Sequence, residues 1–104
     1  MRYLQALVIV LILAASSIFL VSAGSSREME VHFLDVGQGD AILIISPERK
    51  VVLIDGGPGS TIIPLLDNLL PWHCSFIDML VLTHPQDDHV AGLVDVSRRY
   101  RVGE

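Results

Sequence analysis

The stretch Thr83-His84-Pro85-Gln86-Asp87-Asp88-His89-Val90-Ala91-Gly92 decides how this chain is read. It sets two imidazoles and two carboxylates close together just after the apolar run at residues 77–82. That run reads as a buried strand by its length and branched side chains. Loops at the ends of buried strands are where rigid scaffolds hold chemistry. Imidazole with carboxylate suits zinc, manganese or iron. His84 lies just past the strand end, and Pro85 keeps it out of the helical region. A tight loop can then turn His84, Asp88 and His89 toward a common point as a helix begins near Val90. A second reading stays open, in which Asp87 or Asp88 caps that helix and the loop is polar and nothing more.

Upstream, residues 31–36, 41–45 and 51–54 read as three strands. Gly37-Gln38-Gly39-Asp40 supplies a hairpin turn between the first two. A polar turn at residues 46–50 leads to the third, which stops at Asp55-Gly56-Gly57-Pro58-Gly59. Ser60 or Thr61 can start a short helix running to Asn68. Pro64 falls within its first turn, where proline is tolerated, and Pro71 lies beyond its end. A helix over residues 90–100 would carry Arg98 and Arg99 at its C-terminal end, with Arg101 just past it, favourable to its dipole. The order of three strands, helix, strand and helix predicts an α/β mixed sheet with helices on one face.

The first quarter of the 104 residues has a different character. Residues 4–23 carry no charge and are dominated by Leu, Ile, Val and Ala, a length that crosses a bilayer core. Arg2 precedes them, so the positive-inside tendency leaves the N-terminus in the cytoplasm. Val21-Ser22-Ala23 before Gly24 also resembles a signal-peptidase site. Residues 1–23 are therefore expected to be a transmembrane anchor or a signal segment, residues 24–28 a linker, and residues 29–104 the folded unit. Either reading places that unit outside the cytoplasm, on the membrane or secreted. The net charge of -5 argues against a broad surface that binds nucleic acid by phosphate neutralisation. It leaves room for a nucleic-acid substrate at a metal site, where the ions bring local positive charge. Cys74 is the only cysteine, so no internal disulfide forms.

Other polar groups have simple local readings. Asp35 and Asp40 flank a glycine turn and read as turn aspartates that could approach a site. Asp55 can orient a ligand histidine from behind or bond nearby backbone amides in its turn. His32 and His73 lack an acidic neighbour at ligand spacing. No Walker, dinucleotide or Gly-x-Ser-x-Gly pattern is complete.

Thr83-His84-x-Gln86-x-Asp88-His89-x-x-Gly92 resembles the His-x-His-x-Asp-His motif of the metallo-β-lactamase fold superfamily. With residues 33–41 (Phe-Leu-Asp-Val-Gly-Gln-Gly-Asp-Ala) and Leu53-Ile54-Asp55-Gly56-Gly57, it resembles the extracytoplasmic hydrolase-like domain of ComEC-type competence proteins, which take part in DNA internalisation. The resemblance implies an αββα sandwich, two divalent metal ions (zinc or manganese), and hydrolysis of a phosphodiester or related bond in DNA or a nucleotide. By position, His84 would serve the first metal and Asp88 and His89 the second. Asp88 would also be the catalytic group that holds the attacking water, and Asp55 a supporting carboxylate. Gln86 stands where the superfamily usually has a second histidine, and an amide oxygen is a weaker zinc ligand. The later ligands of the superfamily are not in this sequence, so only the first half of the sandwich is expected. A non-catalytic, membrane-tethered binding module that keeps the scaffold is the alternative function, and Gln86 is the feature that favours it.

Overall fold

The structure, a computed structural model, describes residues 1–23 and 27–104. Residues 24–26 of the linker expected at 24–28, with Gly24 of the cleavage-site reading, lie outside the described residues. Helix α1 is Arg2–Ala23, and its Arg2–Leu20 part is long and apolar enough to cross a membrane. A signal segment has the same features.

The folded unit contains β1 (Glu30–Phe33), β2 (Ile42–Ile45), β3 (Val51–Ile54), α2 (Ile62–Leu69), β4 (Phe76–Ile77), β5 (Met79–Val81), α3 (Asp87–Arg99) and β6 (Arg101–Val102). β1, β2 and β3 form an antiparallel meander, and β5 adds in parallel beside β3. β4 pairs with β6 in a separate parallel ladder. The sheet is mixed, and its buried side meets α2 and α3. Leu43, Ile45, Val51 and Leu53 on strands pack with Ile62 and Leu66 of α2 and Leu93 and Val96 of α3. At the far end of the helix pair, the Tyr100 hydroxyl donates to Asp67 Oδ1 at 2.7 Å, and Arg99 lies over the Tyr100 ring.

The opposite sheet face is apolar as well. Side chains alternate along each strand, so the register aligns Val31 with Ile44, Phe33 with Ile42, and Ile42 with Ile54 on one face. Val52 beside Met79 and Ile54 beside Val81 extend the same face across β5. Phe33 is 80% exposed and Val31 44%, while the residues on the inner strands are half-buried. A sheet that faces water on one side alternates apolar with polar, as β1 does with Glu30 and His32, whereas β2, β3 and β5 are apolar on both faces, the pattern of a buried layer.

The short strand β6 is not among the expected elements, and three boundaries differ from expectation by more than a residue or two at an element's end. The strand expected at 77–82 is broken at Asp78. The Asp78 carboxylate accepts from Val51 N at 2.8 Å and from Lys50 Nζ at 3.0 Å, and its own N–H donates to Val51 O. The chain therefore changes ladders there, with Ile77 paired to β6 and Met79 to β3. The first strand stops at Phe33 rather than Val36, because the turn already closes at Leu34 N to Ala41 O. Helix α3 begins at Asp87, not Val90. Its N-cap is Gln86, with extended backbone and no capping bond from its side chain, so neither Asp87 nor Asp88 is the N-cap. Asp88 and His89 consequently stand in the first helical turn and not in a loop.

Candidate metal centre

Three connections meet at one end of the sheet: residues 34–41 after β1, residues 55–61 after β3, and residues 82–86 after β5. This is the carboxyl end of the parallel pair β3 and β5, where open α/β sheets place their ligands. Backbone contacts fix the start of α3 against two of these loops. Gly56 N donates to His89 O at 2.8 Å, Gly92 N to Gly57 O at 3.0 Å, and Gly57 N to Asp40 O at 3.1 Å. Gly39 has φ +106, and a side chain there would strike Asp88 O. The glycines of all three motifs thus let backbone meet backbone around the turn that carries Asp88 and His89.

Asp55 is the anchor of the side-chain network. It follows β3 at φ 58, a left-handed conformation that Asp and Asn adopt more readily than most residues. It is 3% exposed. Its Oδ1 accepts from Thr83 N at 2.8 Å, and its Oδ2 accepts from Thr83 Oγ1 at 2.6 Å and from His89 Nδ1 at 2.9 Å. Burial pushes the Asp55 pKa up, but the hydrogen bonds from Thr83 and His89 outweigh it and hold the carboxyl below its ordinary value. These partners lie far along the chain, not in its own turn.

His89 is buried between this carboxylate and an acidic opening. Its Nε2 faces Asp88 Oδ1 at 3.7 Å and Asp40 Oδ2 at 4.0 Å, both beyond hydrogen-bond length. The hydrogen bond to Asp55 raises the His89 pKa; burial opposes it, and the charges of Asp88, Asp55 and Asp40 reinforce it. His84 is exposed, with Nδ1 2.9 Å from Thr83 Oγ1, and its ring lies 3.8 Å from that of His89, tilted by 50°. His84, Asp88, His89 and Asp55 are therefore brought together. Gln86 is exposed and contributes its backbone oxygen to His89 N and Val90 N. Asp40, which the sequence offers as a turn aspartate or as a residue approaching a site, reaches the site. The signal was Gly39 beside it, a residue that permits the loop to lie against the α3 backbone. Asp35 does behave as a turn aspartate, accepting from Gly37 N. His32 bonds Glu30 at the sheet edge, and His73 stacks edge-on with Trp72, both in other surroundings.

Among the described residues no three His, Cys, Asp or Glu side chains close tightly enough to make a formed metal site. The donors nevertheless fit a divalent cation in kind. An imidazole nitrogen faces two carboxylate oxygens that no hydrogen bond joins to it, a concentration of lone pairs that a cation would satisfy.

The Asp55–His89 pair sets a pH window for stability without added metal. Asp55, with its pKa lowered, contributes fully above its ordinary 3.8, and that contribution is lost as pH falls through the lower folded value. His89, with its pKa raised, contributes fully below its ordinary 6.5, and loses it as pH rises through the higher folded value. In chelator, urea midpoints should be highest between these ordinary values and decline on both sides. A midpoint that keeps climbing through the alkaline flank would contradict the pairing.

No curated protein and no solved structure matches the chain. A family model does: the one described as the metallo-beta-lactamase superfamily covers residues 34–104, more than half of the sequence. That span takes in the 35–41 turn, the Asp55 loop and the whole of α3, the segments that build the cluster described above. The superfamily is one of hydrolases that usually bind divalent metals, often zinc. With its motifs, their convergence and this match in agreement, the chain belongs to the metallo-beta-lactamase superfamily.

Proposed function

We propose that this chain belongs to a metal-dependent hydrolase of phosphodiester bonds, held at a membrane by α1 or exported by it, with the folded unit outside the cytoplasm. The observation that carries the reading is the position of His89. Asp55 holds one of its nitrogens, and the other faces Asp88 and Asp40 at an open end of the sheet. His84, Asp88 and His89 would hold the metals, zinc or manganese, with Asp40 within reach and Asp55 behind them. When bound, such ions supply hydroxide near neutral pH and stabilise charge on phosphoryl oxygens. Asp88 would orient the attacking water and accept its proton. In a complete αββα sandwich a second sheet would cover the apolar face of Val31, Phe33, Ile42 and Ile54 and supply further donors.

Likeness to the ComEC-type hydrolase domain supports a DNA or nucleotide substrate and a role in competence. A complete domain of this kind should bind about two metals per chain and cleave a phosphodiester, losing the activity in chelator and regaining it with zinc or manganese. A protein without metal and without such activity would favour the second reading, a tethered non-catalytic binding module, to which Gln86 lends support.

A further inference from the structure

The threonine hydroxyl between Asp55 and His84 has one proton and two neighbours. Thr83 Oγ1 is 2.6 Å from Asp55 Oδ2 and 2.9 Å from His84 Nδ1. An ionised carboxylate only accepts, so the shorter contact requires the threonine proton. Oγ1 can then only accept from His84, and the proton of that bond must come from Nδ1. His89 is fixed by the same argument without an intermediary, because its Nδ1 lies 2.9 Å from the same Oδ2. A hydrogen bond at one imidazole nitrogen decides which form the other takes.

We propose that Thr83 is a positioning residue through which Asp55 sets the tautomer of His84, so that one buried carboxylate holds both His84 and His89 as Nδ1–H and leaves both Nε2 atoms bare. The chain of bonds runs from His84 Nδ1–H to Thr83 Oγ1, from Thr83 O–H to Asp55 Oδ2, and from His89 Nδ1–H to the same oxygen. Its usefulness rests on the reading of His84 and His89 as metal ligands; the proton positions rest on geometry alone. His84 gains most from this arrangement. It is exposed, and water would otherwise let its proton move to Nε2 and block that nitrogen. Thr83 also holds Asp55 Oδ1 through its backbone N–H, so loss of the hydroxyl removes the relay while the backbone bond remains.

The test uses the full chain in chelator, with 15N-labelled histidine, read by long-range proton–nitrogen correlation at a pH where both rings are neutral. The native protein should show His84 and His89 as Nδ1–H. In Thr83→Val, His84 should shift to the Nε2–H form while His89 stays unchanged, which also reports an intact fold. Thr83→Ser should restore His84. Zinc titration of the same proteins should show affinity about 10-fold weaker in Thr83→Val and recovered in Thr83→Ser. His84 as Nε2–H in the native protein overturns the proposal, and so does an unchanged His84 in a folded Thr83→Val. Should Thr83→Val not fold, the native spectrum and Thr83→Ser still decide it. Correct tautomers without zinc binding would uphold the relay and refute the metal reading; zinc binding with wrong tautomers would do the reverse.

Discussion

Asp55→Asn is expected to weaken zinc or manganese binding by about 10- to 100-fold while the protein remains folded. Asparagine tolerates the left-handed backbone at this position, φ 58. Its amide oxygen can take the place of Oδ1 and keep the bond from Thr83 N. The amide nitrogen then occupies the place of Oδ2, where it presents N–H groups to Thr83 Oγ1 and His89 Nδ1. The reversed amide is worse, since it sets two donors, its own and Thr83 N–H, against each other. A donor facing Nδ1 draws its lone pair and moves the imidazole proton to Nε2, the nitrogen that faces Asp88 and Asp40. The stability cost is that of exchanging charge-assisted bonds for neutral ones, on the order of 1–3 kcal/mol. Asp55→Ala should cost more, about 3 kcal/mol or above, because the buried donors lose their partner altogether. Calorimetric titration with zinc and urea unfolding in chelator separate the two effects. Unchanged metal affinity in a folded Asp55→Asn protein would show that the carboxylate does not govern the site.

Much of this arrangement is written in local sequence. The turn residues of Gly37-Gln38-Gly39-Asp40 and the polar 46–50 segment give the meander its order, and Pro71 lies just past the end of α2 because Leu70 before it is extended. β2, β3 and β5 are apolar at successive positions, and that pattern anticipates layers on both faces of the sheet. The break at Asp78 was hidden for a physical reason. A single aspartate in an apolar run looks like a solvent-facing strand residue, and only the distant Val51 N–H reveals that its carboxylate replaces a ladder bond. Helix α3 starts three residues before the expected Val90 because Asp87 and Asp88, which could cap a helix, stand in its first turn, where they favour the helix dipole. For Asp40 the sequence leaves a turn role and an approach to a site both open, because its approach to His89 depends on packing between segments far apart in the chain. The glycine pattern recorded that packing indirectly, as places where a side chain has no room.

Gly92→Ala tests that record most directly, since two effects oppose each other. Alanine in a helix interior is favoured over glycine by about 1 kcal/mol, so propensity alone predicts a stabilised α3. Packing predicts the reverse. A Cβ on Gly92 would collide with Gly56 O and stand 3.0 Å from Gly56 Cα. A Cβ on Gly56 would meet Leu93 N and the Gly92 carbonyl carbon, so the closeness is mutual. Neither partner is a side chain that can rotate away. Each is backbone, tied by Gly56 N to His89 O at 2.8 Å and Gly92 N to Gly57 O at 3.0 Å. Relief requires α3 to withdraw from the β3 loop, which breaks those bonds and carries His89 away from Asp55. Overpacking without compliance costs about 3 kcal/mol or more, which exceeds the gain in propensity. Gly92→Ala should therefore lower the urea midpoint strongly and weaken zinc binding with it. Gly59→Ala is the control: a Cβ there meets nothing within 4 Å, and its φ is not positive, so stability should change by no more than about 0.5 kcal/mol. If Gly92→Ala were as stable as the parent, the contact between α3 and the Gly56 backbone could not be what holds His89 and Asp88 at the end of the sheet.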